Sequence, residues 1–152
     1  QDNITVGDII VPTGVYRGGA TAHRYLPPAF PAAPDFGVLT ALVEEARATG
    51  PGAHVGIASS SDAFYAEGDP ALYAKMKQAG VMAFEMECDT LFIISNFRGW
   101  RAGAVLACDG TSTEIKPEWG RQAFLDGEKR AIQVAIRAMK RIALEDQQRQ
   151  AA

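Results

Sequence analysis

The pattern of apolar and polar positions along the chain predicts strands that alternate with helices. Short apolar or β-branched runs that end at proline, serine or acidic residues indicate strands at residues 4–12, 53–60, 81–84 and 101–108. Apolar positions at helical spacing indicate helices at residues 35–50, 70–80, 86–99 and 121–146. This alternation predicts an α/β fold with a mixed or mostly parallel sheet flanked by helices.

Local signals mark the ends of several predicted helices. Asp35 is placed as an N-cap, Pro70 occupies a first helical turn, and Gly50 and Gly99 stand where two helices should end. The apolar face of the last helix is expected to point inward through Phe124, Ile132, Ala135, Ile136, Met139 and Ile142. The run at 101–108 is apolar throughout, which is typical of a parallel strand covered on both faces.

Polar segments follow each predicted strand, and they mark the candidate site. In open α/β sheets, ligands bind in the crevice beyond the carboxyl ends of the strands. The segments expected there are TGVYRGGATAHRY, SSSDAFYAE, EMECD and CDGTSTE. The glycine- and proline-rich segment 13–34 fits no regular element, and we expect an ordered loop near the site.

Composition narrows the class of protein. The 152 residues carry a net charge of −3 and a pI of about 5.4, with no basic block, so nucleic acid is not an expected partner. No apolar run reaches the roughly 20 residues of a membrane span, so no membrane partner is expected either. Cys88 and Cys108 lie in apolar segments. We expect buried, reduced thiols and therefore a cytoplasmic protein.

Three carboxylates crowd the segment EMECD between two apolar runs. Glu85 and Glu87 stand where a strand turns into a helix, so they either cap that helix or present oxygens to a vicinal diol such as that of ribose. The residues alone favour capping. Asp89 is expected on another helix face, solvated or locally paired. Cys88 has no histidine close in sequence, which disfavours a catalytic thiol.

Other candidate residues have an ordinary and a functional interpretation. Phe64 and Tyr65 follow a strand end, where they pack against the protein or stack on a planar base. Asp109 follows the last strand and is either a general acid or an Asp-Gly turn former. His23 and His54 are isolated, and no metal-ligand spacing is present, so no metal site is expected.

Two long segments resemble the nucleoside phosphorylase family. GVMAFEMECDTLF followed by RGWRAGAVLACDG has the form of the family's signature region. VGDIIVPTGVYRGGATAHRYLPPAFPAAPDF and HVGIASSSDAFY precede them in the family's order. The similarity covers nearly the whole chain and is strongest to the uridine-cleaving branch of the family.

The resemblance implies roles for four residues in nucleoside binding. Glu87 would bind the ribose 2′- and 3′-hydroxyls, Met86 would pack on the sugar, and Glu85 would line the same pocket. Phe64 would stack near the base. These assignments follow from the family's motif, and they reverse for Glu87 the capping interpretation that the residues alone favour.

The resemblance also implies a catalytic role and a covering loop. Asp109 is a candidate for the acid that protonates the leaving base, although it stands one residue from the position in the purine-cleaving branch. The segment 109–117 would cover the site. The uracil-reading branch places a glutamine and an arginine just after the Phe-Tyr pair, but here the stretch is AEGDPAL. The base is therefore left open between uridine-like and purine nucleosides.

The expected reaction is phosphorolysis of an N-glycosidic bond, which gives a free base and ribose 1-phosphate for salvage. Inorganic phosphate would be the co-substrate, with no cofactor. The family's phosphate-binding loop is expected upstream of residue 1, so residues 1–152 resemble the C-terminal part of a single domain. Of the arginines in the candidate site loops, Arg17 is the candidate for binding phosphate. A homo-oligomer is expected.

Two alternatives stay open from the sequence. The chain is either a catalytically incomplete nucleoside-binding or structural subunit that needs an N-terminal partner segment, or a nucleosidase that uses water. Phosphate dependence of base release distinguishes the nucleosidase from the phosphorylase.

Overall fold

A computed structural model describes residues 1–65, 68–111 and 113–151. Its four-stranded sheet contains β1 (Ile9–Gly18), β2 (Ala53–Ser61), β3 (Ala83–Glu85) and β4 (Leu106–Ala107), in the order β3-β2-β1-β4. The pairs β1–β2 and β2–β3 are parallel, whereas β4 runs antiparallel to β1. The predicted α/β fold with a mixed sheet is confirmed.

Within the described ranges, four α-helices connect and follow the strands, namely α1 (Phe36–Ala48), α2 (Pro70–Gln78), α3 (Cys88–Arg98) and α4 (Arg121–Ala151). The predicted cap at Asp35 is confirmed, since its Oδ1 accepts from the Val38 N–H at 2.9 Å. Gly99 ends α3 in the left-handed region at φ 67°, as only glycine does at little cost. No described helix is long and apolar enough to cross a membrane.

The sheet separates two apolar clusters. On one face, Ile9 and Val11 pack with α1 and α4. On the other face, Val15 and Ala58 pack with Phe92 and other residues of α3. Helices therefore pack on both faces of the sheet.

The first strand was predicted at residues 4–12, and its bounds are wrong. Gly7 turns the chain at φ 87°, so pairing begins only at Ile9. Pro12 does not end the strand, because a register shift between Pro12 and Gly14 absorbs Thr13 and pairing resumes as far as Gly18. Part of the predicted loop is therefore strand, and its end reaches the candidate site.

The last strand was predicted over residues 101–108 as a parallel strand. The strand consists of Leu106 and Ala107, which pair antiparallel with Ile10 and Ile9. The preceding residues pack against α1 instead, where a Cβ on Gly103 would lie 2.7 Å from the Val38 side chain. The antiparallel direction carries the chain after Ala107 past the start of β1.

The inward face of α4 also differs from the prediction. Ile132, Ile136 and Met139 are 54%, 49% and 65% exposed. The buried positions are smaller residues, namely Gly127, Ala131, Val134 and Ala138. Small side chains let α4 approach α1 and the sheet closely, so size rather than hydrophobicity selects the buried face.

Candidate nucleoside site

The carboxyl ends of the three parallel strands meet at one edge of the sheet. Gly18 pairs with Ser61, and Ser60 pairs with Glu85. Neighbouring strands lie about 4.8 Å apart, so the residues that follow these strands are close neighbours. The loop after β2 carries Phe64, and the turn after β3 carries Glu87. The segments predicted from β1, β2 and β3 therefore lie together.

Both oxygens of the Glu85 carboxylate accept hydrogen bonds from other groups of the protein. Its Oε2 accepts from the backbone N–H groups of Glu87 at 2.8 Å and Cys88 at 2.7 Å, while Oε1 accepts from the Ser60 hydroxyl. It thereby satisfies two of the unpaired donors at the start of α3. For Glu85 the capping interpretation is confirmed.

The Glu87 carboxylate is exposed and nearly free. Glu87 stands at the N-cap position of α3, yet its side chain makes no capping bond. Among the described residues it accepts one hydrogen bond, from the Met86 N–H at 3.2 Å. Met86 is 38% exposed beside it. Most of the acceptor capacity of Glu87 is thus open to a ligand.

Asp89 was expected to be solvated or locally paired, and the solvated alternative is wrong. The residue is 1% exposed. Its Oδ2 accepts from the Gly19 N–H at 3.0 Å and its Oδ1 from the Thr90 hydroxyl at 3.1 Å. In the described part of the chain, no basic side chain pairs with Asp89. The Gly19 N–H, the Thr90 hydroxyl and the positive end of α3 stabilise this buried carboxyl group instead.

The turn after β1 is held close to the site by two aspartates. Besides the bond between Asp89 and Gly19, the Asp62 Oδ2 accepts from the Ala20 N–H at 2.9 Å. A Cβ on Gly18 would lie 2.3 Å from the Ser60 carbonyl oxygen, so β1 and β2 approach closely here. The ends of β1 and β2 are therefore closely packed.

The Cys88 thiol is buried among these carboxylates. Burial, the hydrogen bond to Glu85 and the neighbouring negative charges all raise the pKa of Cys88 far above its ordinary value. Burial likewise raises the pKa of Cys108, although a hydrogen bond with the Gly110 backbone opposes the shift. Both thiols stay protonated at neutral pH, which argues against a nucleophilic cysteine.

Exposed aromatic rings lie in the loop after β2 and in β3. Phe64 is 56% exposed and meets Tyr65 edge-on, with 5.0 Å between ring centroids. Phe84, between Ala83 and Glu85, is 59% exposed and meets Tyr73 at 5.3 Å. The sequence did not indicate that Phe84 and Tyr73 are exposed, since an aromatic residue among apolar neighbours is typical of a core position.

A groove of about 550 Å³ lies between the sheet and α2. Its walls come from β1, β2, α2 and the loop before α1, and they include Thr13, Tyr16, Ile57, Leu72 and Met76. Sequence reasoning missed this groove as well. The bulge after Pro12 reverses which side chains face it, and no local pattern reveals that reversal.

The structure does not bring Asp109 to this edge. Ala107 pairs with the first residue of β1, Ile9, whereas the site lies beyond the last, Gly18. Nine strand steps separate the two ends by roughly 25–30 Å. The Asp109 carboxylate lies 3.5 Å from the Lys116 ammonium in its own turn. The expectation that CDGTSTE shares the crevice with EMECD is wrong.

The stretch AEGDPAL and the predicted covering loop 109–117 are described in part. Residues 66–67 of the first and residue 112 of the second lie outside the described residues. In the second, the Thr111 hydroxyl accepts from the Glu114 N–H at 3.0 Å and the Trp119 indole donates to the Glu114 carboxylate at 3.1 Å. These bonds build a local turn at the far end of the sheet.

Arg17 is not free to bind phosphate. Its guanidinium donates to the carbonyls of Pro27 at 2.6 Å, Phe30 at 2.7 Å and Leu26 at 2.9 Å. The suggested phosphate role therefore conflicts with its contacts, and the arginine instead fastens the loop after β1.

We expect Arg17→Lys to loosen that loop. A lysine ammonium cannot span three carbonyls in the fork geometry of a guanidinium. Protease cleavage within residues 19–34 should accelerate about 10-fold, which corresponds to the loss of roughly one charge-assisted hydrogen bond. Arg24→Lys, at an exposed position in the same loop, is the control and should leave the cleavage rate unchanged.

No group of three or more potential ligands for a metal lies together in the described ranges. His54 pairs with Asp8 at 2.9 Å. Asp8 precedes β1 and His54 lies near the start of β2, so this pair stands at the end of the sheet away from Glu87. The chemistry of the candidate site thus comes from carboxylate oxygens, aromatic faces and backbone groups.

Comparisons with known proteins identify the family of the chain. A profile described as the phosphorylase superfamily matches residues 1–143. A uridine phosphorylase of Thermococcus kodakarensis is 35% identical over 164 aligned positions, which cover 100% of this chain and 57% of that protein. A guanosine phosphorylase of Halorubrum lacusprofundi is 34% identical over 149 positions, covering 91% and 60%.

A solved structure shows the same fold. The crystal structure of a uridine phosphorylase from Vibrio fischeri superposes with a TM-score of 0.85 at 24% identity, covering 93% of this chain and 59% of that chain. The chain thus spans about three fifths of the length of the relatives it matches. By the extent of these matches, the chain belongs to the phosphorylase superfamily.

Proposed function

We propose that the protein takes part in phosphorolysis of the N-glycosidic bond of a nucleoside, which releases the base and forms ribose 1-phosphate. The observation that carries this proposal is the contrast between two neighbouring glutamates. The Glu85 carboxylate is saturated by backbone and serine donors, while the Glu87 carboxylate stands exposed at the edge of the sheet. The names of the similar phosphorylases support the same reaction class.

Glu87 is suited to hold a ribose. A carboxylate only accepts hydrogen bonds, and its two oxygens match the two donors of a vicinal diol. As the glycosidic bond breaks, the sugar acquires positive charge, and a nearby carboxylate favours that state over the neutral sugar. Met86 offers an apolar surface to the ring, and Glu85 fixes the backbone from which Glu87 projects.

The base would lie against an aromatic surface. Phe64, in the loop after β2, is the residue we propose for stacking. The similar proteins are named for uridine and for guanosine, so the proposal keeps both classes of base. Asp109 stays a prediction as the acid for the leaving base, and its contact with Lys116, beyond the start of β1, does not support that role.

Phosphate is proposed as the co-substrate, with no cofactor. Its binding groups are not assigned among the described residues, since Arg17 is engaged with carbonyls. We propose that they belong to a part of the complete protein beyond these 152 residues or to a second copy in a homo-oligomer. A cytoplasmic location is proposed with it, in keeping with two free thiols.

The test is base release measured with and without phosphate. Uridine and inosine are incubated with the purified protein, both as this chain and as the product of any longer reading frame. We expect ribose 1-phosphate only when phosphate is present. Release of base without phosphate would identify a nucleosidase. If both forms of the protein bind the nucleoside but release no base, the protein is a binding subunit that lacks catalysis.

A further inference from the structure

We propose that Ser60 is a positioning residue for the nucleoside site, which sets sugar recognition by Glu87 through the Glu85 carboxylate. This inference rests on the proposed function and extends it to a residue that does not itself touch the ligand. Ser60 lies in β2 and is 1% exposed.

The Ser60 hydroxyl bridges two backbone elements. It donates to Oε1 of Glu85, and it accepts from the Asp89 N–H at 2.9 Å. A serine hydroxyl has one proton and two lone pairs, so these contacts use its only donor. Ser60 therefore joins the end of β2 to the end of β3 and to the first turn of α3.

Glu85 carries this restraint on to Glu87. Its second oxygen accepts from the N–H groups of Glu87 and Cys88, at 2.8 Å and 2.7 Å. One carboxylate oxygen is thus tied to the sheet, and the other fixes the backbone from which the exposed Glu87 side chain projects. Without the Ser60 hydroxyl, the Glu85 carboxylate loses its tie to β2 and can turn about its side-chain torsions.

The network reaches β1 through Asp89. Its buried Oδ2 accepts from the Gly19 N–H at 3.0 Å. A Cβ on Gly19 would lie 2.9 Å from that oxygen, so the backbone approaches as closely as glycine permits. The ends of three strands are in this way joined at one turn of one helix, with Ser60 at the junction.

A positioning residue and a purely stabilising residue differ in which binding affinity their loss lowers. Sugar binding by a carboxylate depends on placing two oxygens within hydrogen-bond distance of two hydroxyls, and a displacement of about 1 Å removes much of the gain. Loss of Ser60 should therefore reduce affinity for the diol specifically. Binding of a nucleoside that lacks both hydroxyls should change little.

The experiment measures affinity by isothermal titration calorimetry for two pairs of ligands. The pairs are uridine with 2′,3′-dideoxyuridine, and inosine with 2′,3′-dideoxyinosine. The quantity compared is the affinity for the ribonucleoside divided by the affinity for its dideoxy analogue, in whichever pair binds. For Ser60→Ala we expect this ratio to fall about 10-fold, because the diol loses about one net charge-assisted hydrogen bond. Ser60→Thr, which keeps the hydroxyl, should restore most of the ratio.

Ser59→Ala is the matched control. Ser59 is also buried in β2, at 3% exposure, but alternation turns its side chain to the other face of the sheet. We expect the wild-type ratio for Ser59→Ala. If Ser60→Ala does not fold, Ser60→Cys keeps the side-chain size with a weaker donor and should lower the ratio to an intermediate value.

Two results would overturn the inference. The first is a wild-type ratio in folded Ser60→Ala or Ser60→Cys. The second is an equal loss of affinity for both members of a pair, which indicates a general structural effect. Glu87→Gln is measured alongside. If Glu87→Gln also keeps the wild-type ratio, the diol role of Glu87 in the proposed function fails; if only the Ser60 variants keep it, the positioning role alone fails.

Discussion

Glu87→Gln should lower kcat/KM for a ribonucleoside by about 100-fold or more, since loss of one electrostatic transition-state contact commonly costs 10²–10³. An amide keeps the size of the side chain but replaces one acceptor oxygen with a donor and removes the charge. The ribose then loses one hydrogen bond, and the developing positive charge loses its counter-charge. Because the side chain is exposed and makes no capping bond, the thermal midpoint should stay within about 1 °C of wild type.

Two companion variants make this result specific. Glu85→Gln, unlike Glu87→Gln, should lower the free energy of unfolding, by about 1–3 kcal/mol, because it disturbs the three hydrogen bonds that join Glu85 to Ser60, Glu87 and Cys88. Glu128→Gln, an exposed change of the same kind on α4, should alter neither kinetics nor stability. Unchanged kinetics in folded Glu87→Gln would mean that this carboxylate has no ligand.

Gly127→Ala should destabilise the protein by about 2–3 kcal/mol, the usual cost of overpacking a tight contact. Helix propensity alone predicts the opposite sign, since alanine in a helix interior is favoured over glycine by about 1 kcal/mol. A Cβ at this position would lie 2.4 Å from the Gly7 carbonyl oxygen, and a backbone atom cannot turn aside. The contact between α4 and the turn before β1 must therefore open.

Urea unfolding measures this effect. The control is Gln133→Ala at an exposed position on the same helix, which should change the free energy of unfolding by no more than about 0.5 kcal/mol. An increase in stability for Gly127→Ala would show that α4 does not approach Gly7 as closely as the structure describes.

Much of the fold could be predicted because its signals are local. Asp35 and Gly99 mark helix ends through their own backbone preferences, and the alternation of strand and helix needs no distant partner. The bounds of β1 could not be predicted in the same way. Pairing continues after Pro12 only because β2 accommodates an extra residue, and that fit depends on residues more than 40 positions away.

The candidate site shows the same division between local and distant information. The sequence places Glu85 and Glu87 at a strand-to-helix junction, but which of them caps the helix depends on the Ser60 hydroxyl, 25 residues away from Glu85. Helical periodicity turned Asp89 to a different helix face from Glu87. Its hydrogen bond to the turn after β1 could not be predicted, because the donor, the Gly19 N–H, lies 70 residues away in the sequence. The position of Asp109 depends on the direction of β4, and an apolar run does not specify direction.

The affinity ratio of wild-type protein for a ribonucleoside and its 2′,3′-dideoxy analogue tests the central claim most directly. Uridine and inosine are each compared with their analogues by calorimetry, without turnover. We expect the diol to strengthen binding about 10- to 100-fold, as one or two hydrogen bonds to a charged acceptor provide. We expect Glu87→Gln to remove most of that difference. Equal affinity of the wild-type protein for both members of each pair would contradict the assignment of Glu87 as the ribose ligand.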